Sequence, residues 1–317
     1  MSDIRSQVFG AMIGLCVGDA LGVPYEFHAA NELPPQEDIE YSPPDGFNRA
    51  HPGVQPGTWS DDSAQALCLL ASLLHCGKFD ASDLAMRLVN WRDSGYMAVD
   101  AKVFDVGITT NRALSRIRRG FDPLEAGPSA ESDNGNGSLM RVLPLALWHK
   151  GTDGELARDA RLQSRVTHGH LRSQLCCALY CLWARRTLEN SPSPWDMAVA
   201  SLREIVASEI PALAELESSI LTFKPESAGG SGYVVDCLMS SRCAMQQMSY
   251  KDVVLTAIAF GNDTDTTACV AGGIAGLRGG LSEIPLHWQE RLRERNIVEE
   301  LTNALLARSA PQVHPKH

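Results

Sequence analysis

Two short acidic turns, far apart in the chain, carry the residue types best suited to chemistry. One is Trp59-Ser60-Asp61-Asp62-Ser63, and the other is Gly261-Asn262-Asp263-Thr264-Asp265-Thr266-Thr267. Each runs straight into a small-residue apolar helix, through Ala64-Gln65-Ala66-Leu67 in the first case and Ala268-Cys269-Val270-Ala271 in the second. Carboxylates and hydroxyls are oxygen ligands, the set that hard divalent cations such as Mg²⁺ and Mn²⁺ prefer. Folding that joins the two turns creates a place for a two-metal centre. Ser, Thr and Asp are also favoured N-caps, and Asp in a first turn complements the helix dipole. A cap needs one oxygen, however, and each turn supplies three or four. Crowded carboxylates beside an apolar helix cost energy unless a positive charge neutralises them. The pair of turns therefore favours a cation site over capping alone.

The elements that must position these turns read almost entirely as helices. Periodicity and end signals predict helices over 3–21, 61–75, 81–93, 103–118, 137–149, 155–166, 171–187, 194–207, 232–246, 251–260, 264–277 and 287–307. No alternating strand or hairpin signal stands out. Gly10, Gly14 and Gly18 fall at helical spacing in the first helix, and Gly272, Gly273 and Gly276 fall together in the helix at 264–277. Each interior glycine costs roughly 0.5–1 kcal/mol relative to Ala. Close helix–helix approach is the expected compensation, which puts these two helices at the centre of a bundle. Long loops at 27–58, 121–136 and 223–231 interrupt the helices, and loops of this length serve more often in binding than as passive connectors. No linker or repeat divides the chain, so residues 1–317 are read as a single domain.

Composition narrows the function classes. The chain is 44% hydrophobic and 21% charged, as expected of a globular domain, and its formal net charge is -10. Such an acidic chain is not built to follow a nucleic-acid backbone, and Arg116, Arg118 and Arg119 read as a solvated helix end. The nine cysteines are odd in number and form no Cys-x-x-Cys pair, so they read as reduced, buried small hydrophobes rather than disulfides or zinc ligands. The apolar run at 8–18 lacks a cleavage site and reads as too short to cross a membrane. A cytoplasmic protein with no membrane partner is the expectation.

An ordered set of motifs resembles the ADP-ribosylglycohydrolases, the family of the dinitrogenase reductase-activating glycohydrolase and the ADP-ribosyl-acceptor hydrolases. Gly10-Ala11-Met12-Ile13-Gly14 and the run Gly18-Asp19-Ala20-Leu21-Gly22-Val23-Pro24-Tyr25-Glu26-Phe27 resemble the family's opening. Thr58 to Ser63 resembles its first metal motif, and Gly261 to Thr266 its second. Gly135-Asn136-Gly137-Ser138-Leu139-Met140-Arg141 resembles its phosphate-contacting turn, and Val166 to His170 and Gly232 to Asp236 match as well. The resemblance implies an all-α fold, a compact bundle of more than ten helices around a central cleft with two Mg²⁺ or Mn²⁺ ions. It implies hydrolysis of a glycosidic bond to ADP-ribose. By position, Ser60, Asp61 and Asp62 match one set of ligands and Asp263, Asp265 and Thr266 the other, while Glu26 matches a cleft carboxylate that helps with the metal or the attacking water. Ser60 stands where many members have Thr, which keeps the hydroxyl, and Arg278 stands where an aromatic is frequent.

The remaining candidates combine residue chemistry with that resemblance. Asn136, Gly137 and Ser138 lie in a turn that leads into a predicted helix, a place where backbone N–H groups suit a pyrophosphate, and an ordinary Asn/Gly turn reads equally well. Met140 belongs to the same motif. Gly229, Gly230 and Ser231 offer a similar turn, with a flexible linker as the alternative. The resemblance gives Tyr233 an adenine to stack on and puts His168 in the ligand cleft, with His170 the weaker of the two histidines. The resemblance also implies that Asp105, in Phe104-Asp105-Val106-Gly107, contacts a guanidinium, as a carboxylate in a similar context does in arginine-specific members, with a helix N-cap as the alternative. Glu26, Asp62 and Asp105 are thus the expected catalytic carboxylates. The expected substrate is an ADP-ribosylated protein, most simply one modified on arginine, with ADP-ribose as product. Serine- or O-linked ADP-ribose is the alternative. A silent ADP-ribose-binding member, or an immunity-type protein acting on a cognate ADP-ribosyltransferase, are the competing classes.

Overall fold

The computed structural model describes residues 3–309, so the expected domain of residues 1–317 extends outside the described residues at both ends. Fifteen α-helices follow one another: α1 (Ile4–Gly22), α2 (Asp61–Cys76), α3 (Ala81–Ser94), α4 (Ile108–Arg118), α5 (Pro123–Ala126), α6 (Leu143–Trp148), α7 (Asp153–Arg165), α8 (Leu171–Leu188), α9 (Pro194–Val206), α10 (Ile210–Glu215), α11 (Val234–Ala244), α12 (Tyr250–Ala259), α13 (Thr264–Gly279), α14 (Leu286–Arg291) and α15 (Arg295–Ser309). Among the described residues the β pairing consists of two isolated bridges, Ala29 with Gly261 and Gly135 with Tyr233. The all-α expectation holds.

The glycine spacing has the predicted consequence. α1 and α13 cross antiparallel, with Gly10, Gly14, Gly18 and Gly22 set against Gly276, Gly272, Ala268 and Asp265. The backbones approach so closely that a Cβ added at Gly14 would stand 2.6 Å from the Gly272 carbonyl oxygen and 3.0 Å from the Tyr250 ring. Tyr250 of α12 donates its hydroxyl to the Gly14 carbonyl at 2.7 Å, and Tyr180 of α8 donates to the Val270 carbonyl at 2.8 Å. These bonds clamp the pair from two sides. Every α1 residue from Gln7 to Gly22 is buried. The segment Ile4–Tyr25 is long and apolar enough to cross a bilayer, contrary to the sequence reading, but from Gln7 onward it is buried inside the protein and belongs to its core. All nine cysteines are free, and seven are buried.

The helices depart from expectation where distant contacts decide. α4 begins at Ile108 instead of 103, because the chain before it stays open and carries Asp105 at a φ of 52°. α6 begins at Leu143, since 137–142 is a turn rather than helix. The expected helix 287–307 is two helices. Between them Arg293 donates its N–H to the Gly57 carbonyl at 3.0 Å and its guanidinium to Thr58 Oγ1 and Asp100 Oδ2. That break pins the end of the 27–58 loop directly before the first acidic turn. α5 and α10, of four and six residues, are too short to leave a periodic signal.

Candidate active site

The antiparallel crossing sets the C-terminal end of α1 against the N-terminal end of α13. A Cβ at Gly22 would overlap the Asp265 backbone, and Thr264 Oγ1 donates to the Gly22 carbonyl at 2.8 Å. Glu26, just beyond α1, is thereby delivered to the second acidic turn. One carboxylate oxygen from each of Glu26, Asp263 and Asp265 lies within 4.8 Å of the others. The first turn arrives from α2. Thr266 Oγ1 donates to Asp62 Oδ1 at 3.3 Å across 204 positions of sequence, so the two distant clusters meet. They line one wall of a cleft of about 250 Å³ with Asp105, Asn136, Met140 and His168 around the rest.

Capping accounts for only part of the oxygen set. Ser60 caps α2, accepting from the Asp62 N–H at 3.3 Å. Asp263 occupies the N-cap position of α13 but accepts no capping bond. Instead its Oδ2 takes the Asn136 side-chain N–H at 3.0 Å. Asp61 Oδ2 accepts from Gln65 Nε2 at 2.9 Å, and Gln65 Oε1 in turn accepts from the fully buried Arg141 at 2.9 Å. Asp62 Oδ2 and Asp265 Oδ2 are buried with no hydrogen-bond partner. A buried carboxylate oxygen without a donor costs several kcal/mol unless a cation faces it (roughly, by transfer arguments). Two such atoms inside one oxygen-only cluster fit divalent cations.

The electrostatics agree. Burial first, then Asp105, Asp263 and Asp61, push the Glu26 carboxyl up to about 10. Burial and neighbouring carboxylates also raise Asp61, Asp62 and Asp265 well above the usual carboxylate range. Burial and Asp263 bring Asp105 to about 6. Opposite charge within the cluster is what returns such groups to the ionised form. His168, buried beside its Thr167 hydroxyl partner at 2.9 Å, is pushed down to about 3 by burial and by Arg141, so it is neutral at physiological pH.

The second half of the cleft is built by the bridge between residues 135 and 233. The Asn136 N–H donates to the Gly232 carbonyl and the Val234 N–H to the Asn134 carbonyl, both at 3.0 Å. Gly137 sits tightly here, since a Cβ would stand 3.0 Å from His168 and 3.2 Å from Thr110 and would make those side chains give way. Tyr233 is half-buried beside this turn, its hydroxyl held by Arg172 at 3.0 Å. Three expectations need correction. The Ser138 side chain turns inward to Ser164 at 2.9 Å, away from the cleft. The N–H groups of Gly229 and Ser231 donate to Asp236 and that of Gly230 to Ser240, so this turn presents no open cradle of donors. His170 caps α8 through the Arg172 N–H. Asp105, for its part, does not cap α4, whose N-cap is Gly107.

Sequence reasoning missed the supporting residues. Asp19 is fully buried in α1 and accepts from the Ser60 N–H, the Ser63 N–H and the Ser63 hydroxyl, at 2.9, 2.9 and 2.5 Å. It ties the first acidic turn to the central helix pair. A lone carboxylate in an apolar helix was the available signal, as were Gln65 and Arg141 in apolar surroundings. His51, which bonds Glu26, left no signal in its Pro-rich loop.

Comparison with known proteins agrees with this geometry. A family described as ADP-ribosylglycohydrolase matches residues 1–314. The chain is 30% identical over 313 residues to ADP-ribosylarginine hydrolase Tri1 of Pseudomonas putida (strain GB-1), covering 96% of this chain and 78% of that protein. It is 28% identical over 318 residues to the ADP-ribosyl-dinitrogen reductase glycohydrolase of Rhodospirillum rubrum, covering 96% and 97%. A solved structure titled ADP-ribosylglycohydrolase-related protein complex superposes with a TM-score of 0.77 at 30% identity, over 98% of this chain and all of that one.

Proposed function

The chain belongs to the ADP-ribosylglycohydrolase family, and from that premise we propose that it is a metal-dependent hydrolase that removes ADP-ribose from a modified arginine of a protein. Both relatives named above act on ADP-ribose linked to protein or arginine by their names, which supports the glycohydrolase activity and the arginine linkage. The observation that carries the metal dependence is the meeting of Asp62 with Thr266, with two buried carboxylate oxygens left unpartnered beside it. Ser60, Asp61, Asp62, Asp263, Asp265 and Thr266, helped by Glu26, are the residues proposed to hold two Mg²⁺ or Mn²⁺ ions. When bound, such ions polarise sugar hydroxyls and lower the pKa of a water at neutral pH.

The chain's own groups divide the remaining work. The backbone of Gly137 holds the pyrophosphate in a turn that Asn136 braces against Gly232 and Asp263, with Met140 and neutral His168 closing the cleft behind it. Tyr233 supplies a ring face for the adenine. Asp105 receives the guanidinium, for which a carboxylate is the matching partner. Cleavage at the anomeric carbon develops oxocarbenium character, and glycoside hydrolysis answers it with paired carboxylates. Glu26 is the group proposed to take the proton of the attacking water. Nine unpaired cysteines support a reducing, cytoplasmic setting.

The test is a panel of proteins carrying ADP-ribose on arginine, on serine or as polymer, each with Mg²⁺, Mn²⁺ or chelator. Release from arginine that chelator abolishes is expected. Release from serine alone, or release indifferent to chelator, overturns the corresponding part of the proposal.

A further inference from the structure

Glu26 has an unusual support. It follows a short 3-10 turn, Val23–Tyr25, and no helix fixes its side chain. Asp105, Asp263 and Asp61 surround it with like charge. A long carboxylate side chain in that position loses about 1.5–2 kcal/mol of rotamer freedom when held in one place, so something must hold it. The holder is His51, whose Nε2 lies 2.7 Å from Glu26 Oε2. His51 is itself fixed with care. Its ring lies beside those of Phe27 and Phe104, tilted against both, with centroids 5.5 and 5.1 Å away. Its backbone has a φ of 48°, a strained value for a residue other than glycine, and its carbonyl accepts the Val54 N–H at 2.9 Å. A ring nitrogen of His51 and a carboxylate oxygen from each of Glu26 and Asp105 fall within 4.8 Å of one another, so the imidazole stands beside two carboxylates that line the cleft.

We propose that His51 is a positioning residue that fixes the Glu26 carboxylate through one oxygen and leaves the other to act at the cleft. The proposal rests on the reading of Glu26 as the carboxylate that works on water. It assigns a role to the 27–58 loop: that loop brings an imidazole onto the cleft carboxylate. It also explains the two flanking phenyl rings. Phe27 and Phe104 adjoin Glu26 and Asp105 in sequence, so the imidazole in contact with both rings also links the two loops that present those carboxylates.

Two variants separate positioning from simple packing. His51→Phe keeps a ring between Phe27 and Phe104 and removes the donor. His51→Gln restores an N–H at about the reach of Nε2. Partners that orient active-site carboxylates and ligands are worth about 10–100-fold. With arginine-linked ADP-ribosylated protein as substrate, kcat of His51→Phe should fall by about that factor while KM stays within about twofold. His51→Gln should recover most of kcat. Calorimetric titration with Mn²⁺ alone, which needs no turnover, should show weaker binding in His51→Phe than in wild type. Unchanged kcat and Mn²⁺ binding in His51→Phe, or equal impairment of both variants with a lowered melting temperature, overturns the proposal. If wild type itself releases nothing from arginine, the proposed function fails, and the Mn²⁺ titration still decides whether His51 orders Glu26.

Discussion

Gly14→Ala offers a sharp test of the central crossing. In a helix exposed to solvent the change would stabilise by about 0.5–1 kcal/mol, because Ala is the better helix former. Here the new methyl would stand 2.6 Å from the Gly272 carbonyl oxygen and 3.0 Å from the Tyr250 ring. Ordinary contact begins near 3.4 Å, so α1 and α13 must separate by most of an ångström at their centre. Overpacking of this kind costs about 1–3 kcal/mol. The steric cost outweighs the propensity gain, leaving a net loss of about 1–2 kcal/mol. At about 2.1 cal/mol/K of unfolding entropy per residue, a chain of 317 residues then loses roughly 1.5–3 °C of melting temperature. Gly53→Ala is the control, since nothing lies within 4 Å of a Cβ there and its φ is not in the left-handed region. Differential scanning calorimetry in chelator measures both. A melting temperature for Gly14→Ala at or above wild type would show that the two helices do not touch as described.

The remaining predictions concern the cleft. Asp263→Ala should reduce release of ADP-ribose from arginine by more than about 100-fold, since loss of an outer-sphere partner alone costs about 10–100-fold. Near-normal turnover in Mg²⁺, with the helical circular dichroism intact, would falsify the assignment of this turn. Asp105→Ala removes a charge-assisted contact worth about 1.5–3 kcal/mol, so KM for arginine-linked protein should rise roughly tenfold or more while affinity for free ADP-ribose changes little. Equal loss of both in titration and steady-state assays would count against acceptor recognition by Asp105. Without metal, stability should fall as pH rises from 7 to 9. Glu26, with a folded value near 10 against an ordinary value near 4.5, stays protonated in the native state and is ionised in the unfolded one over that window. Its contribution is complete below the unfolded value and disappears as pH climbs through the folded one, at up to about 1.4 kcal/mol per pH unit for each such group. Mg²⁺ should raise the melting temperature, and more at pH 9 than at pH 7. A chelated protein with a flat or rising profile would contradict this.

The sequence made the frame of the site visible and hid its supports. Interior glycines at helical spacing can be compensated only by close approach, so the α1–α13 pair could be foreseen from Gly10, Gly14, Gly18, Gly272 and Gly276. The acidic turns were legible because each held more oxygen than a cap uses. Ser138 was not, because facing the cleft or facing Ser164 depends on how α7 and α8 pack. Gly229 to Ser231 look like an anion loop in one dimension, and only the fold shows that Asp236 already takes two of their N–H groups. The break between α14 and α15 rests on Arg293 meeting Gly57, a contact between segments far apart in sequence that no local pattern encodes. His51 belongs to the same class, as its partner lies in the chain segment before its own loop and its position is set by two phenyl rings.

The pairing of α1 with α13 also bears on how the molecule comes into being. During synthesis α1 leaves the ribosome early, with its apolar faces and the Asp19 carboxylate committed to neighbours not yet made. Asp19 can recruit Ser60 and Ser63 soon afterwards, but the glycine face must wait until residues 264–279 have been translated. Such late closure of a contact between segments far apart in sequence is slow and leaves sticky surface exposed in the meantime. A nascent chain stalled before α13 would therefore lack both its centre and half of its acidic cluster, and would depend on chaperones to stay soluble.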